Sequence, residues 1–569
     1  RNLGADGFSD VTADLGLDKA GPVESMVAAD FDNDGDTDLV LGANSGLRYW
    51  RNDGGNANKQ LKLRLVGNRS NASGLGVRVD LMAGHWRTRR SLQQLPFEIG
   101  LGKHDKIDAL KTHWFDLSTT AVDVPFQSQP FQLVELTVPT GSCPYLYAWD
   151  GSRFRFVTDI LGASPLGLPL AEGRFIEADP EEFLALGDEL TFPPKNSAYE
   201  VRITEELREV LYLDQARLVV IDHPAGTIVH PTSKLRARKP FPKHELWTLR
   251  PLGPVVHAVR SDGLDVTEAL ARTDNLMVSP VQLREPQLRG LAEPFSVTLD
   301  CGPLPADRPL VLALTGWLRF GGGMAYLAAS LDASLPFPFP TLEAELPDGS
   351  WEAVPTEVGA PAGKTKTILV ELGRKLPTGV RRLRLTTAFE IHWDSVLLCE
   401  RVGSQQNRET SLSPDHADLR WRGFSQFDDL PDFLPLTPQY DQAGSTPPWR
   451  RTPTGWCTRY GPVEQLARDK DDELVLLNGG DELALSFRAD RLPPKAEGFT
   501  RSFFLYVIGW DKDADFHVGQ GWRVDPLPYW GMDDQAYGRQ PPPPRRAAWI
   551  QEYNTRWLGP WTLTKASNR

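Results

Sequence analysis

Cysteine and histidine are scarce: four Cys and ten His in 569 residues. Cys143, Cys301, Cys399 and Cys457 lie far apart, with no C-x-x-C and no His at ligand spacing, which excludes a local zinc or dithiol motif. Buried thiols and one or two long-range disulfides both stay open. No apolar run approaches the roughly eighteen residues of a membrane helix; the longest, such as Ser502 to Trp510, are strand-sized. H-E-x-x-H, G-x-S-x-G, G-x-G-x-x-G and C-x-x-C-H are all absent. A site assembled from distant loops would leave no such trace, so catalysis is not thereby excluded. Positive charge is in deficit, and the net charge of −13 argues against nucleic acid as a partner. Residue 1 is Arg and no signal peptide opens the sequence, so the chain is expected to be processed, truncated or partly covered.

Helical periodicity is scarce too, while Gly (49) and Pro (47) are plentiful, which favours many short strands joined by turns. An apolar fraction of 40% with 24% charged residues is ordinary for a soluble globular protein. This length is too great for one core, and three to five domains are expected. Seventeen Trp suit wide sandwich cores or exposed aromatic platforms.

The most informative segment is Asp30-Phe31-Asp32-Asn33-Asp34-Gly35-Asp36-Thr37-Asp38, five carboxylates in nine residues. Like charges so close repel unless a cation sits among them. Asp30, Asp32, Asp34 and Asp38 stand at positions 1, 3, 5 and 9, from which oxygens turn to one point. Asp36, at position 7, is placed to give its backbone carbonyl, and Gly35 permits the sharp turn. The opening matches an EF-hand, but Leu41 stands where its bidentate Glu belongs. Val27-Ala28-Ala29 and Leu39-Val40-Leu41-Gly42 flank it as short apolar runs that suit strands. The pattern predicts a calcium loop in a β-hairpin, with all five aspartates around one Ca2+ at roughly 2.3–2.6 Å from its ligands.

Arg1-Asn2-Leu3-Gly4 returns as Arg51-Asn52-Asp53-Gly54, a spacing of propeller-blade size, so the chain is expected to begin inside a larger repeat array. Gly7-Phe8-Ser9-Asp10-Val11-Thr12, the acidic loop and Tyr49-Trp50-Arg51-Asn52 together resemble an FG-GAP/VCBS repeat of the integrin-type β-propeller. The stretches 61–71 (LKLRLVGNRSN), 74–81 (GLGVRVDL), 97–102 (FEIGLG) and 107–114 (IDALKTHW) resemble the ASPIC/UnbV domain that caps such propellers in the cartilage acidic protein family. Trp114-Phe115-Asp116-Leu117 departs from that family's Trp-Pro-x-Gly. The resemblance covers roughly residues 1–140 and implies calcium and an extracytoplasmic setting. Beyond it, 143–151 (CPYLYAWDG) and 204–224 (TEELREVLYLDQARLVVIDHP) resemble long C-terminal extensions of bacterial proteins with this domain.

The expected fold is all-β: a partial propeller-blade region followed by several sandwich or jelly-roll-like domains. We place a blade region at 1–55, an ASPIC/UnbV-like domain at 56–140 and a sandwich-like domain at 141–240. A jelly-roll-like sandwich at 241–405 and a β-rich domain at 406–569, with a polyproline strap at 540–545, complete the chain. In Ala198 to Ile203, Tyr199, Val201 and Ile203 should face a core and Glu200 and Arg202 water. Gly359 to Thr365 imitates a phosphate loop but has three residues between its glycines and a strand after it. Asp511, Asp513 and Asp515 repeat the D-x-D-x-D opening without its Gly; a solvated turn is weighed there against a second cation site. Glu205, Glu206 and Glu209 are weighed as glycosidase carboxylates against solvated acids, and Trp317 with His392-Trp393-Asp394 as a sugar platform against core.

The leading expectation is a secreted or cell-surface calcium-binding protein, extracellular or periplasmic, acting in adhesion, matrix or complex assembly rather than as an enzyme. Its partners would be a protein or the missing N-terminal blades, with glycan as a further candidate and no membrane span. The alternatives are a carbohydrate-binding or carbohydrate-active protein and an accessory subunit of a larger enzyme complex.

Overall fold

The computed structural model describes the chain except residues 1–2, 4–5, 56, 68–69, 96, 115–117, 125–129, 136–143, 172–173, 237–238, 285–289, 306, 322–338, 374–375, 429, 432, 448, 450, 515–517, 533–546 and 561–569. Strand makes up 49% and helix 3%, so the fold is all-β, built from many separate sheets. Cys143, the first copy of the Arg-Asn-x-Gly repeat, Asp515 and the polyproline strap fall largely or wholly outside the described residues. Two compact units, residues 1–137 and 138–569, divide the chain.

The first unit opens with an antiparallel meander, β1 (Val23–Ala29), β2 (Asp38–Ala43) and β3 (Gly46–Trp50). Ala29 pairs with Asp38, so the acidic segment connects β1 to β2 as a hairpin loop. Val27, Val40 and Tyr49 align across one face, and Tyr49 is half exposed; on the other, Met26 is 59% exposed. After it, Lys59–Val66 lies between Phe97–Gly102 and a parallel partner, Phe131–Val134. Trp86–Ser91, Arg78–Ala83, Ile107–His113 and Ser118–Val124 make a four-stranded sheet. Period-two alternation in Leu61-Lys62-Leu63-Arg64-Leu65 buries the leucines against Val79, Leu81, Ile99, Leu101 and Leu110. Each such side chain contributes about 1.5–3 kcal/mol by leaving water.

The second unit is nested. Six strands in the order 154–159, 145–149, 198–204, 481–488, 416–421 and 461–462 form one sheet; 181–188, 499–513, 209–224 and 408–412 form the facing path. They share one core, in which Leu146, Val201, Leu213, Leu419, Leu485 and Leu505 are buried. Residues 228–401 make two further five-stranded sheets around a separate core. The chain leaves the first sandwich after Pro224 and re-enters it at Arg408, which pairs with Asp222. The second sandwich is therefore an insertion whose ends meet. The divisions at 240/241 and 405/406 do not separate sheets: Ala198–Thr204 pairs with Asp481–Arg488, and Glu209–Pro224 with Phe499–Asp513. Pairing across some 300 residues leaves no local signal, which is why the sequence read as consecutive domains.

Tyr199, Val201 and Ile203 face the core as expected, but Arg202 does not face water. It lies over the Phe154 ring and pairs with Glu200 at 2.8 Å, beneath an aromatic layer of Tyr147, Phe154 and Tyr440. Cys301, Cys399 and Cys457 are free thiols, each pushed up to about 11 or 12 chiefly by burial.

Asp214 sits at the bulge between Leu213 and Gln215, where it accepts from the Asp471 and Asp472 amides. Burial, with Asp472 nearby, pushes its carboxyl up to about 7. An acid whose folded value lies above its unfolded one holds its proton more tightly when folded. Its stability contribution therefore falls as pH rises from about 4 to about 7 and stays low above that. Asp214→Asn, which keeps the accepting oxygen, should stabilise the protein by about 2 kcal/mol at pH 8 and by little at pH 4. Urea denaturation at the two pH values checks this; an equal effect at both contradicts it.

Candidate functional site

Between β1 and β2 the backbone turns back within nine residues. Asn33 and Gly35 adopt φ of 62° and 101°, the left-handed conformation that glycine takes at no steric cost. Asp30 Oδ1 accepts from the Asp34 amide at 3.2 Å and Oδ2 from the Gly35 amide at 3.0 Å, so the first carboxylate organises the turn. Asp38, fully buried at the start of β2, accepts from the Asn52 amide at 2.8 Å, the Tyr49 hydroxyl at 2.8 Å and the Phe31 amide at 3.1 Å. Burial raises its pKa, but these donors outweigh burial and hold the carboxyl below its ordinary value.

Asp30, Asp32 and Asp38 each bring one oxygen to within 4.8 Å of the others, a spacing at which one ion can be shared. Asp34 and Asp36 lie outside this trio. Asp34 Oδ1 accepts from the Asp36 amide at 3.1 Å. The Asp36 side chain is turned under Gly55, whose amide donates to it at 2.8 Å, and burial raises its pKa. A Cβ at Gly55 would come within 2.6 Å of Asp36 Cβ, so that closure requires glycine. Gly55 engages one Asp36 oxygen, Oδ2, while Oδ1 is enclosed without a hydrogen-bond partner among the described residues.

The loop is tied to the strands that follow. Glu98 accepts from the Asp30 amide at 3.0 Å, Gln60 donates to Asp30 Oδ2 at 2.8 Å, and Lys62 Nζ lies 2.7 Å from the same oxygen and also bonds Asn33. Arg51 reaches within 3.9 Å of Asp32. Sequence reasoning missed Gln60, Lys62 and Glu98. They stand some thirty to seventy positions from Asp30, and only the packing brings them to the loop.

The other candidates divide. Glu206 is held by Tyr147, Thr204, Ser425 and Arg422, four donors that engage both oxygens of one buried carboxylate. Glu205 and Glu209 are buried, not solvated, and meet Asp511, which sits inside a strand that runs to Asp513 rather than in a turn. Trp317 is buried, stacked on His392 at 4.7 Å and donating to the Phe433 carbonyl, while Trp393 is core; neither forms an open platform. Lys364 of the false phosphate loop is buried, donates to the Leu436 carbonyl and leads into strand Lys366–Glu371. Compared with known proteins, the chain matches no family model and no curated protein.

Proposed function

We propose that this chain is a calcium-binding, β-rich binding protein that works outside the cytoplasm in adhesion, matrix or complex assembly, of the FG-GAP/VCBS and ASPIC/UnbV kind. The observation that carries the reading is the convergence of Asp30, Asp32 and Asp38 in a hairpin loop turned at Gly35. Calcium there is structural: it neutralises carboxylates that otherwise repel, and fixes β1 and β2 against the strands bearing Lys62 and Glu98. The meander supports a binding role, since β1 and β3 are its edges and Met26, Leu47 and Tyr49 are at least half exposed. Burial of Trp317 and Trp393 removes the main support for a carbohydrate-active alternative.

Lys62 competes with the cation for Asp30. Lys62→Met is therefore expected to tighten calcium binding roughly tenfold, by removing a positive charge a few ångströms from the ion. Unchanged or weaker binding would show that Lys62 supports the loop instead. For the role itself, a glycan array combined with a hydrolysis screen is the test. The reading expects no turnover; turnover abolished by one Asp, Glu or His substitution, without loss of stability, overturns it.

A further inference from the structure

The longest strand pair of the first sandwich ends in a concentration of charge that packing does not need. Glu209–Pro224 and Phe499–Asp513 run antiparallel, with Glu209 opposite Asp513 and Leu211 opposite Asp511. Residues two apart on a strand share a face, so Glu209, Asp511 and Asp513 project to one side. Lys512, between the two aspartates, turns to the other side and donates to the Val524 carbonyl at 3.0 Å. Glu205 arrives from the connection just before Glu209. One oxygen each from Glu205, Glu209 and Asp511 lies within 4.8 Å of the others, and all three residues are buried. Like charges facing across a strand pair destabilise it, and burial sharpens the cost.

A second observation points to a missing counter-ion. Glu209 Oε2 and Asp511 Oδ1 are enclosed and have no hydrogen-bond partner among the described residues, although these residues are only 7% and 8% exposed. Native proteins rarely leave a buried carboxylate oxygen unserved. The Asp30 and Asp38 carboxylates take backbone amides on both oxygens, whereas Glu209 and Asp511 are neighbouring carboxyls that interact with each other and leave one enclosed oxygen apiece without a donor. Burial and the adjacent acids hold Glu209 and Asp511 well above the ordinary carboxylate range.

We propose that Glu205, Glu209 and Asp511 form a second cation site, for a hard divalent ion of the calcium and magnesium class. The donors are all carboxylate oxygens, which select hard cations over zinc or copper. The ion would replace repulsion with shared coordination, locking the ends of two long strands to the turn that precedes them. This site is made by strand register, not by a local loop, and stands whether or not the Asp30 to Asp38 loop binds calcium.

The test uses the full chain carrying Asp32→Ala, so that the loop does not contribute. The protein is stripped with chelator and equilibrated separately with calcium, magnesium and manganese, and bound metal is counted. One ion per chain is expected with at least one of these metals, falling to none when Glu209→Gln is added. In chelator, the Glu209→Gln protein should melt higher than its parent, because a repelling charge has gone. Asp511→Asn is the second variant should Glu209→Gln not fold. Absence of bound metal in the Asp32→Ala protein with all three ions, or a count unchanged by both substitutions, overturns the site and leaves a proton as what holds the carboxyls together.

Discussion

Asp32→Ala is expected to remove most of the calcium-dependent stability of residues 1–137 and almost none of their stability in chelator. Among the three converging carboxylates, Asp32 is the one the apo loop needs least. It is exposed and accepts one long bond, from the Asp34 amide at 3.3 Å, whereas Asp30 and Asp38 hold the turn through several backbone amides. A ligand present at a hundred to a thousand times its dissociation constant stabilises the folded state by about 3–4 kcal/mol. That corresponds to roughly 10 °C in the melting temperature of a unit this size. Calorimetric melting with calcium and with chelator reads both numbers. An equal loss in the two conditions would mean that Asp32 stabilises the fold without an ion.

Lys366→Met should cost about 3–5 kcal/mol, the usual penalty for leaving buried charge without its partner. Lys366 Nζ lies 3.0 Å from Asp159 and 2.9 Å from Glu182, so one ammonium of the inserted sandwich neutralises two carboxylates of the outer one. Burial works against charging Lys366, but the two acids more than offset it and raise its pKa. Burial also raises Glu182, with Lys366 pulling in the opposite direction. Without Lys366 the buried Glu182 must take a proton to stay buried, so the penalty should be greatest at pH 8 and shrink as pH falls toward 5. Combining Lys366→Met with Asp159→Asn and Glu182→Gln should recover much of the loss. Denaturant titrations of the single and triple variants test this. A loss below about 1 kcal/mol for the single variant would place the ion triad among the weak surface pairs.

The local features of the fold were legible because local rules govern them. Alternation in 198–203 announced a strand, and Gly35 between carboxylates announced a tight turn at the centre of a hairpin. Ser502 to Trp510, strand-sized in its apolar run, is a strand paired on both edges, and a run without alternation suits burial on both faces. What stayed hidden depends on distant pairing. The insertion of 228–401 shows only when Asp222 is seen opposite Arg408. Likewise Glu209 and Asp511 are some 300 positions apart, and each alone reads as an acid at a strand end. Their meeting follows from a register that only the folded sheet defines. Arg202 misled for another reason: alternation says which way a residue points, not whether a second layer lies beyond.

The central claim is that the Asp30 to Asp38 loop holds calcium, and its most direct test is a calorimetric calcium titration of chelator-stripped wild type beside Asp32→Ala. The account predicts that wild type takes up one more calcium per chain than the variant. Equal uptake by the two proteins would contradict it, and would leave Lys62 as the loop's permanent counter-ion.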